Sequence, residues 1–291
     1  MLAFRGRCGL GELRGAAVTP VRTALTWVPD EALAEFAGVR EPIAAHVATA
    51  RALGVDIVLV DASSRDAAER AVALAGSGRR VAWAVPGPLS RVERGSGFSE
   101  TLAATAREPG ALAFRLDEAL HEALDDVRRG VRAAAELFVV ADDLASTSGW
   151  LVSPDFALEV LVRTYRRLAS EISASCGSAI FHSDGDVRAL YPALAHAGFA
   201  GVHIAGLEHD AVGIMAAAAS GSGLFAMGGV AAGDLVGCGT AEIVERIASA
   251  SPRPAIICDD GGITDAAGLA AYAEVLAALR DTSGSQEGGR R

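Results

Sequence analysis

Eight short apolar runs, each followed by a stretch with helical spacing, recur along this chain, and that alternation restricts the fold more than any other feature. The runs are Ala24 to Val28, Asp56 to Val60, Val81 to Val85, Leu137 to Ala141, Ser178 to His182, Gly201 to Ala205, Gly223 to Met227 and Ala255 to Cys258. Runs of about five apolar residues alternating with helices are the signature of parallel βα construction. Eight units predict an α/β fold, a single TIM-like (β/α)8 barrel. The 291 residues suffice for one, since such barrels take about 250. An open doubly wound sheet is the other fold the alternation permits.

Helical patterns fill the gaps at Glu41 to Leu53, Ser64 to Ala75, Leu116 to Ala135, Pro154 to Ile172, Tyr191 to Ala197, Asp210 to Ala219, Ala241 to Ala248 and Ala266 to Leu279. The helix at Pro154 is the best marked. Ser153 can cap it, Pro154 suits its first turn, and Phe156, Val160, Leu161, Leu168 and Ile172 share a face. Pro192 should kink the following helix or mark its start. The connection from Pro86 to Glu136 is about twice the usual length. It carries the Gly-rich stretch Arg94 to Gly97 and an extra helix near Phe98 to Arg107, the composition of a lid over a barrel mouth. Residues 1–20 read as a leading arm, Pro29 and Asp30 as a turn, and residues 282–291 as a disordered polar tail, leaving one barrel domain over 1–281.

Composition removes several classes of function. No lysine occurs, so all 26 basic residues are arginine, and Schiff-base and pyridoxal chemistry lack their amine. A net charge of −10 opposes a nucleic-acid partner, which needs clustered cationic surface. The four cysteines, Cys8, Cys176, Cys238 and Cys258, form no C-x-x-C pair, and no apolar signal run opens the chain; a reducing cytoplasm is the expected compartment. The uncharged run Ala211 to Gly233 is divided by glycines and serines, as a helix, turn and buried strand rather than a membrane span.

In a parallel barrel, chemistry sits at the carboxyl ends of the strands. Those ends carry Asp61, Asp142 with Asp143, His182 with Asp184 and Asp186, His209 with Asp210, Gly228 with Gly229, and Asp259 with Asp260. Any one of Asp61, Asp143 or Asp186 is at home as a helix cap, but polar groups from so many strands point to one site. His182, Asp184 and Asp142 are the expected catalytic group, with Asp61, Asp143 and Tyr165 facing substrate. Gly228 and Gly229 admit a second reading, because loops after the last strands of a barrel often hold phosphate through backbone amides.

The stretch His182 to Ile204, the block Leu137 to Phe156 with Thr164 and Tyr165, and the block Met227 to Ile247 together resemble the uroporphyrinogen decarboxylase superfamily, which includes the corrinoid-dependent methyltransferases. With Gly54 to Ala62 and Val85 to Val92, the similarity covers residues 54–263. The resemblance implies a barrel enzyme that transfers a methyl group between a corrinoid (cobalamin) on a partner protein and a small molecule, or one that decarboxylates a tetrapyrrole. The decarboxylases' arginine-rich leading loop has no counterpart in Met1 to Val28. The thiol methyltransferases bind zinc through a histidine, a cysteine two residues later and a distant cysteine. Here those places hold His182, Asp184 and Gly261, so any zinc set falls to His182, Asp184 and Cys258 or Asp259. If the barrel only binds a corrinoid or tetrapyrrole, Arg91 and Arg94 on the lid are placed to grip its carboxylates.

Overall fold

A computed structural model describes residues 22–205 and 211–287. Eight parallel strands close a barrel in which each pairs with its sequence neighbours. They are β1 (Arg22–Leu25), β2 (Ile57–Asp61), β3 (Arg80–Pro86), β4 (Leu137–Ala141), β5 (Ser178–Asp184), β6 (Gly201–Ala205), β7 (Phe225–Val230) and β8 (Ile256–Asp259). The open-sheet alternative is thereby excluded. The leading arm lies outside the described residues. No helix among the described residues is long and apolar enough to cross a membrane.

Strand side chains alternate between two faces, and here each face has its own core. Ala24, Ile57, Leu59, Ala82, Ala84, Leu137, Val139, Ile180, Met227, Ile256 and Cys258 fill the barrel interior. Leu25, Val58, Val60, Trp83, Phe138, Phe181 and Ile257, on the other parity, pack against the helices. Closure falls between β1 and β8, in register Arg22↔Ile256 and Thr23↔Ile257. The Asp259 carboxylate fastens this seam by accepting from both the amide and the hydroxyl of Thr26. The Tyr272 hydroxyl donates to the carbonyl of Ala24 at 2.6 Å and holds β1 from the helix layer.

The helices are α1 (Asp30–Ala37), α2 (Pro42–Leu53), α3 (Ala67–Gly76), α4 (Pro88–Ser96), α5 (Phe98–Arg107) and α6 (Pro109–Arg132). Next comes α7, which runs from Pro154–Phe156 through a π-helical turn, Ala157–Leu161, into Val162–Ala174. After it come α8 (Tyr191–Ala197), α9 (Ala211–Gly221), α10 (Ala232–Gly237), α11 (Thr240–Ser249) and α12 (Ala266–Glu287). Ser153 Oγ accepts from the Phe156 amide at 3.1 Å, the expected cap of α7, and Pro192 marks the start of α8.

The structure departs from the sequence expectation at several places, three of which bear on the mouth or the ends of the barrel. The turn at Pro29 and Asp30 opens α1, a short helix whose buried positions are only Ala32 and Leu33 and which Gly38 ends at φ 65°. The Gly-rich lid stretch is helical, as α4, with Gly87 at its N-cap and no side chain there to signal it. The final helix continues past Asp281 to Glu287.

Gly130 of α6 lies where helix and barrel meet. A Cβ there would stand 2.7 Å from ring atoms of both Trp83 and Phe138, neither of which is exposed at all. Alanine would gain up to about 1 kcal/mol of helix propensity, but overpacking costs about 1–3 kcal/mol. Gly130→Ala should therefore lower stability, whereas Gly213→Ala in α9, with nothing within 4 Å of its Cβ, should raise it by up to about 1 kcal/mol. Urea denaturation of the two variants checks the signs.

Candidate metal centre

The alternation that divides the core also divides the strand-end acids. On β4 and beyond, Leu137 and Val139 face inward and Phe138 and Val140 outward, so Asp143 continues the inward parity and Asp142 the outward one. Asp142 is fully buried. Its carboxylate accepts from the amides of Leu89 and Ser90 at 3.1 and 2.8 Å and from the Tyr165 hydroxyl at 2.8 Å. It thus caps α4 from across the fold. A Cβ on Gly87 would stand 2.2 Å from Asp142 Cγ, so the cap requires glycine there. Burial raises the Asp142 pKa to about 6, against the hydrogen bonds that lower it.

Asp142 and Tyr165, read from sequence as mouth residues, therefore belong to the helix layer, where Tyr165 also packs on Phe181 and Phe199. Asp259 likewise lies on the outward parity at the β1 seam, and burial lifts its pKa to about 6. Cys258 sits in the barrel interior, and burial pushes its thiol well above the usual range. Neither joins His182 and Asp184 as a ligand set: the Asp259 carboxylate is turned to Thr26, and the ligand atoms that converge among the described residues are those of Asp143, His182 and Asp184. Arg91 turns to the Pro86 carbonyl, Glu122 and Asp126. Gly228 and Gly229 have φ of 139° and 118°, and a Cβ on Gly228 would stand 2.9 Å from the Ile204 carbonyl oxygen, a close strand approach that needs glycine. His209 and Asp210 lie outside the described residues.

The stretch from His182 to Asp186 uses every residue differently. His182 and Asp184 point inward. Ser183 points outward, and its Oγ accepts from the Leu144 amide at 2.9 Å. Gly185 turns at φ +72°, with its Cα side only 2.5 Å, at the position of an added Cβ, from the Ser146 carbonyl oxygen of a small hairpin, Ala145–Ser146 with Gly149–Trp150. Asp186 accepts from the Arg188 amide at 3.1 Å and opens the next helical turn.

The place of His203 within β6 predicts only that it points into the barrel. It does, and there it orders the site. Its Nε2 lies 3.1 Å from the Asp259 carbonyl oxygen, and its Nδ1 lies 2.9 Å from His182 Nδ1. A carbonyl only accepts, so His203 Nε2 carries the hydrogen and its Nδ1 is an acceptor. His182 then donates from Nδ1, and its Nε2 is left as a lone pair. Burial depresses both imidazoles, His182 to about 4 and His203 to about 3, the latter with help from His182, so the pair is neutral at pH 7.

That lone pair meets the carboxylates of Asp143 and Asp184, at 3.7 and 4.0 Å. The three ligand atoms lie within 4.8 Å of one another. The Asp184 amide donates to Asp143 Oδ1 at 3.1 Å, but no side-chain hydrogen lies between the three acceptors, which repel one another and draw positive charge. The site's charge shows in Asp184, whose pKa is raised to about 6 by burial and then by Asp143 and Asp260. Trp27, after β1, covers the pair with ring centroids 4.8 Å from His182 and 5.8 Å from His203.

Two cavities open at this end. One, of about 220 Å3, is lined by His182, Asp143, Asp61, Trp27 and, from α4, Ser90 and Arg94. Arg94 and Asp61 thus line the mouth as their sequence positions predict, and α4 is the part of the long connection that reaches it. Glu93, its neighbour on α4, carries no sequence signal. Burial, with Asp142 and Asp143 nearby, raises its pKa to about 7.

No protein-family model matches the chain, and no curated protein matches its sequence. Similar solved structures include a methyltransferase from Methanosarcina mazei, 16% identical with a TM-score of 0.74 over 94% of this chain and 97% of that one. A D-psicose 3-epimerase from Clostridium cellulolyticum H10 is 15% identical, with a TM-score of 0.57 over 91% and 98%. Tryptophan synthase from Mycobacterium tuberculosis is 14% identical, with a TM-score of 0.53 over 94% and 98%. These likenesses establish the barrel, an architecture that proteins of different chemistry share.

The split between scaffold and site acids is testable. Asp142→Ala strands two amides and a hydroxyl in the interior and should cost about 3 kcal/mol or more. Asp143→Ala removes a half-exposed charge from an acidic cluster together with one exposed hydrogen bond from the Asp184 amide, and should change stability by less than about 1 kcal/mol. Thermal unfolding of the two variants separates them.

Proposed function

We propose that this chain is an enzyme of the uroporphyrinogen decarboxylase superfamily, nearer its corrinoid-dependent methyl-transfer branch, with a divalent cation held by Asp143, His182 and Asp184. The observation that carries the reading is the convergence of one imidazole lone pair and two carboxylates on a single point. One nitrogen and two oxygens form a harder donor set than the thiolates of the thiol branch, and suit zinc, manganese or a similar ion. A cation bound there supplies Lewis acidity, favouring the deprotonated form of a hydroxyl or amine drawn to it.

The chain's own residues do the rest. His203 fixes the His182 tautomer, so that Nε2 faces the ligand point without a hydrogen. Asp143 and Asp184 contribute negative charge, and Trp27 keeps water from one side of the imidazole pair. The acceptor nucleophile is then an oxygen or nitrogen centre, and the methyl group comes from a corrinoid on a partner protein. The M. mazei neighbour, itself a methyltransferase, supports the reading through its fold. The acid-rich lining speaks against a tetrapyrrole polycarboxylate, which would face Asp61 and Asp143 with Arg94 as the one arginine opposite them among the described residues of that cavity.

Metal titration by calorimetry should show uptake of about one zinc or manganese ion per chain. His182→Ala and Asp184→Ala should each weaken it at least about tenfold. Ligands must be deprotonated to bind, so affinity should fall as the pH drops through about 6, where the Asp184 carboxyl takes up its proton. No uptake of any divalent ion would remove the centre. With metal bound, absorbance should report demethylation of methylcobalamin when small alcohols or amines are added, and not with the His182→Ala variant.

A further inference from the structure

The larger mouth cavity, about 390 Å3, is not part of the metal centre. It is lined by residues following β1 and β8, by the end of β2, and by side chains from α2 and α3. It shares Trp27 and Asp61 with the cavity that holds His182 and Asp143, so a molecule bound here lies beside the centre.

Its lining states the chemistry it would accept. Among the described residues that line it, Arg70 is the one basic side chain apart from a neutral histidine. Both of its terminal nitrogens are engaged by carboxylates: Nη1 and Nη2 donate to Asp30 at 2.8 and 3.1 Å, and Nη2 donates to Asp66 at 2.8 Å, while its buried Nε has no partner among the described residues. Asp61 makes its side-chain bonds, to the amide and hydroxyl of Ser63, through Oδ1. Two lining carboxylates, Asp30 and Asp61, thus face a single guanidinium already paired, an excess that repels oxyanions and favours a cation. Trp27 adds an aromatic face, whose quadrupole attracts an ammonium group.

The second observation is a donor with nothing to bond. His46 lines the cavity and is only 5% exposed. Arginine cannot accept, so Arg70 Nη1 donates to His46 Nδ1 across 3.3 Å, and the neutral imidazole carries its hydrogen on Nε2. Burial, reinforced by Arg70, lowers the His46 pKa to about 4 and keeps the ring neutral. His46 Nε2 is buried and has no partner among the described residues. Buried donors are nearly always bonded, and an oxygen acceptor on a ligand would complete this one.

We propose that this cavity binds a small amino alcohol, its ammonium group between the Trp27 ring and Asp61 and its neutral oxygen toward His46. Its role as the substrate rests on the reading of Asp143, His182 and Asp184 as the reacting centre; the binding itself does not.

Calorimetry with three probes tests it: choline, its uncharged isostere 3,3-dimethyl-1-butanol, and tetramethylammonium, which lacks the oxygen. Choline should bind about tenfold or more tightly than the isostere, and more tightly than tetramethylammonium. Asp61→Asn keeps the acceptor for Ser63 but removes the charge, and should bring choline down to the level of the isostere. His46→Leu should abolish the preference for choline over tetramethylammonium. Equal binding of choline and its isostere, no choline binding at millimolar concentration, or an Asp61→Asn variant with full affinity would each overturn the proposal. Metal titration of the same sample keeps the two readings apart. Choline recognition without metal uptake leaves this inference standing and removes the centre, and metal uptake without choline recognition does the reverse.

Discussion

Strand parity in a closed barrel is the constraint on which this molecule depends. Each strand offers one face to the interior and one to the helices, and a single residue step moves a side chain from one to the other. The paired acids at the strand ends obey it. Asp142 and Asp259 face outward and become buried fasteners, one capping α4 and the other closing the β1 seam. Asp143 is half-exposed beside His182, and the charge of Asp260 is felt at Asp184. Each Asp-Asp pair therefore contributes one scaffold residue and one mouth residue.

The barrel itself is legible in the sequence because its signals are local. Every strand run and the capped start of α7 lie within a few residues of the apolar pattern that identifies them. Helix α4 is not legible, since its N-terminal amides are satisfied by Asp142, more than fifty positions downstream, as the Leu89 bond shows. Helix α1 buries too little to show a period. For the site, His182 and Asp184 stand out by their place at the end of β5, and Asp61 and Arg94 reach the mouth as their positions predict. Placing Asp142 at the mouth together with Asp143 comes from counting to the strand end without counting parity. Alternation from Leu137 corrects it. The role of Trp27 has no sequence signal, since it depends on what lies across the barrel, and that of His203 depends on the register that sets it beside His182 and on the Asp259 carbonyl of β8.

The two buried histidines give the mouth an unusual electrostatic character. His203 donates to a backbone carbonyl, which forces every later hydrogen in the chain of contacts to point away from the mouth. What reaches the acids is therefore an acceptor. A histidine in that place with the opposite tautomer would donate to Asp143 and Asp184 and satisfy them locally. One backbone carbonyl of β8, at Asp259, thus decides that the imidazole presents an acceptor rather than a donor to the acidic mouth.

The remote cap on α4 also bears on how the chain assembles. A helix this short is marginal alone in water, and this one begins at Gly87, which offers its first turn no side-chain acceptor. Its stable start must wait until β4 has docked beside β3 and brought Asp142 under the amides of Leu89 and Ser90. Closing that long loop precedes any gain from the contact. The helix that brings Ser90 and Arg94 to the mouth is therefore anchored by the barrel wall rather than by its own first turn.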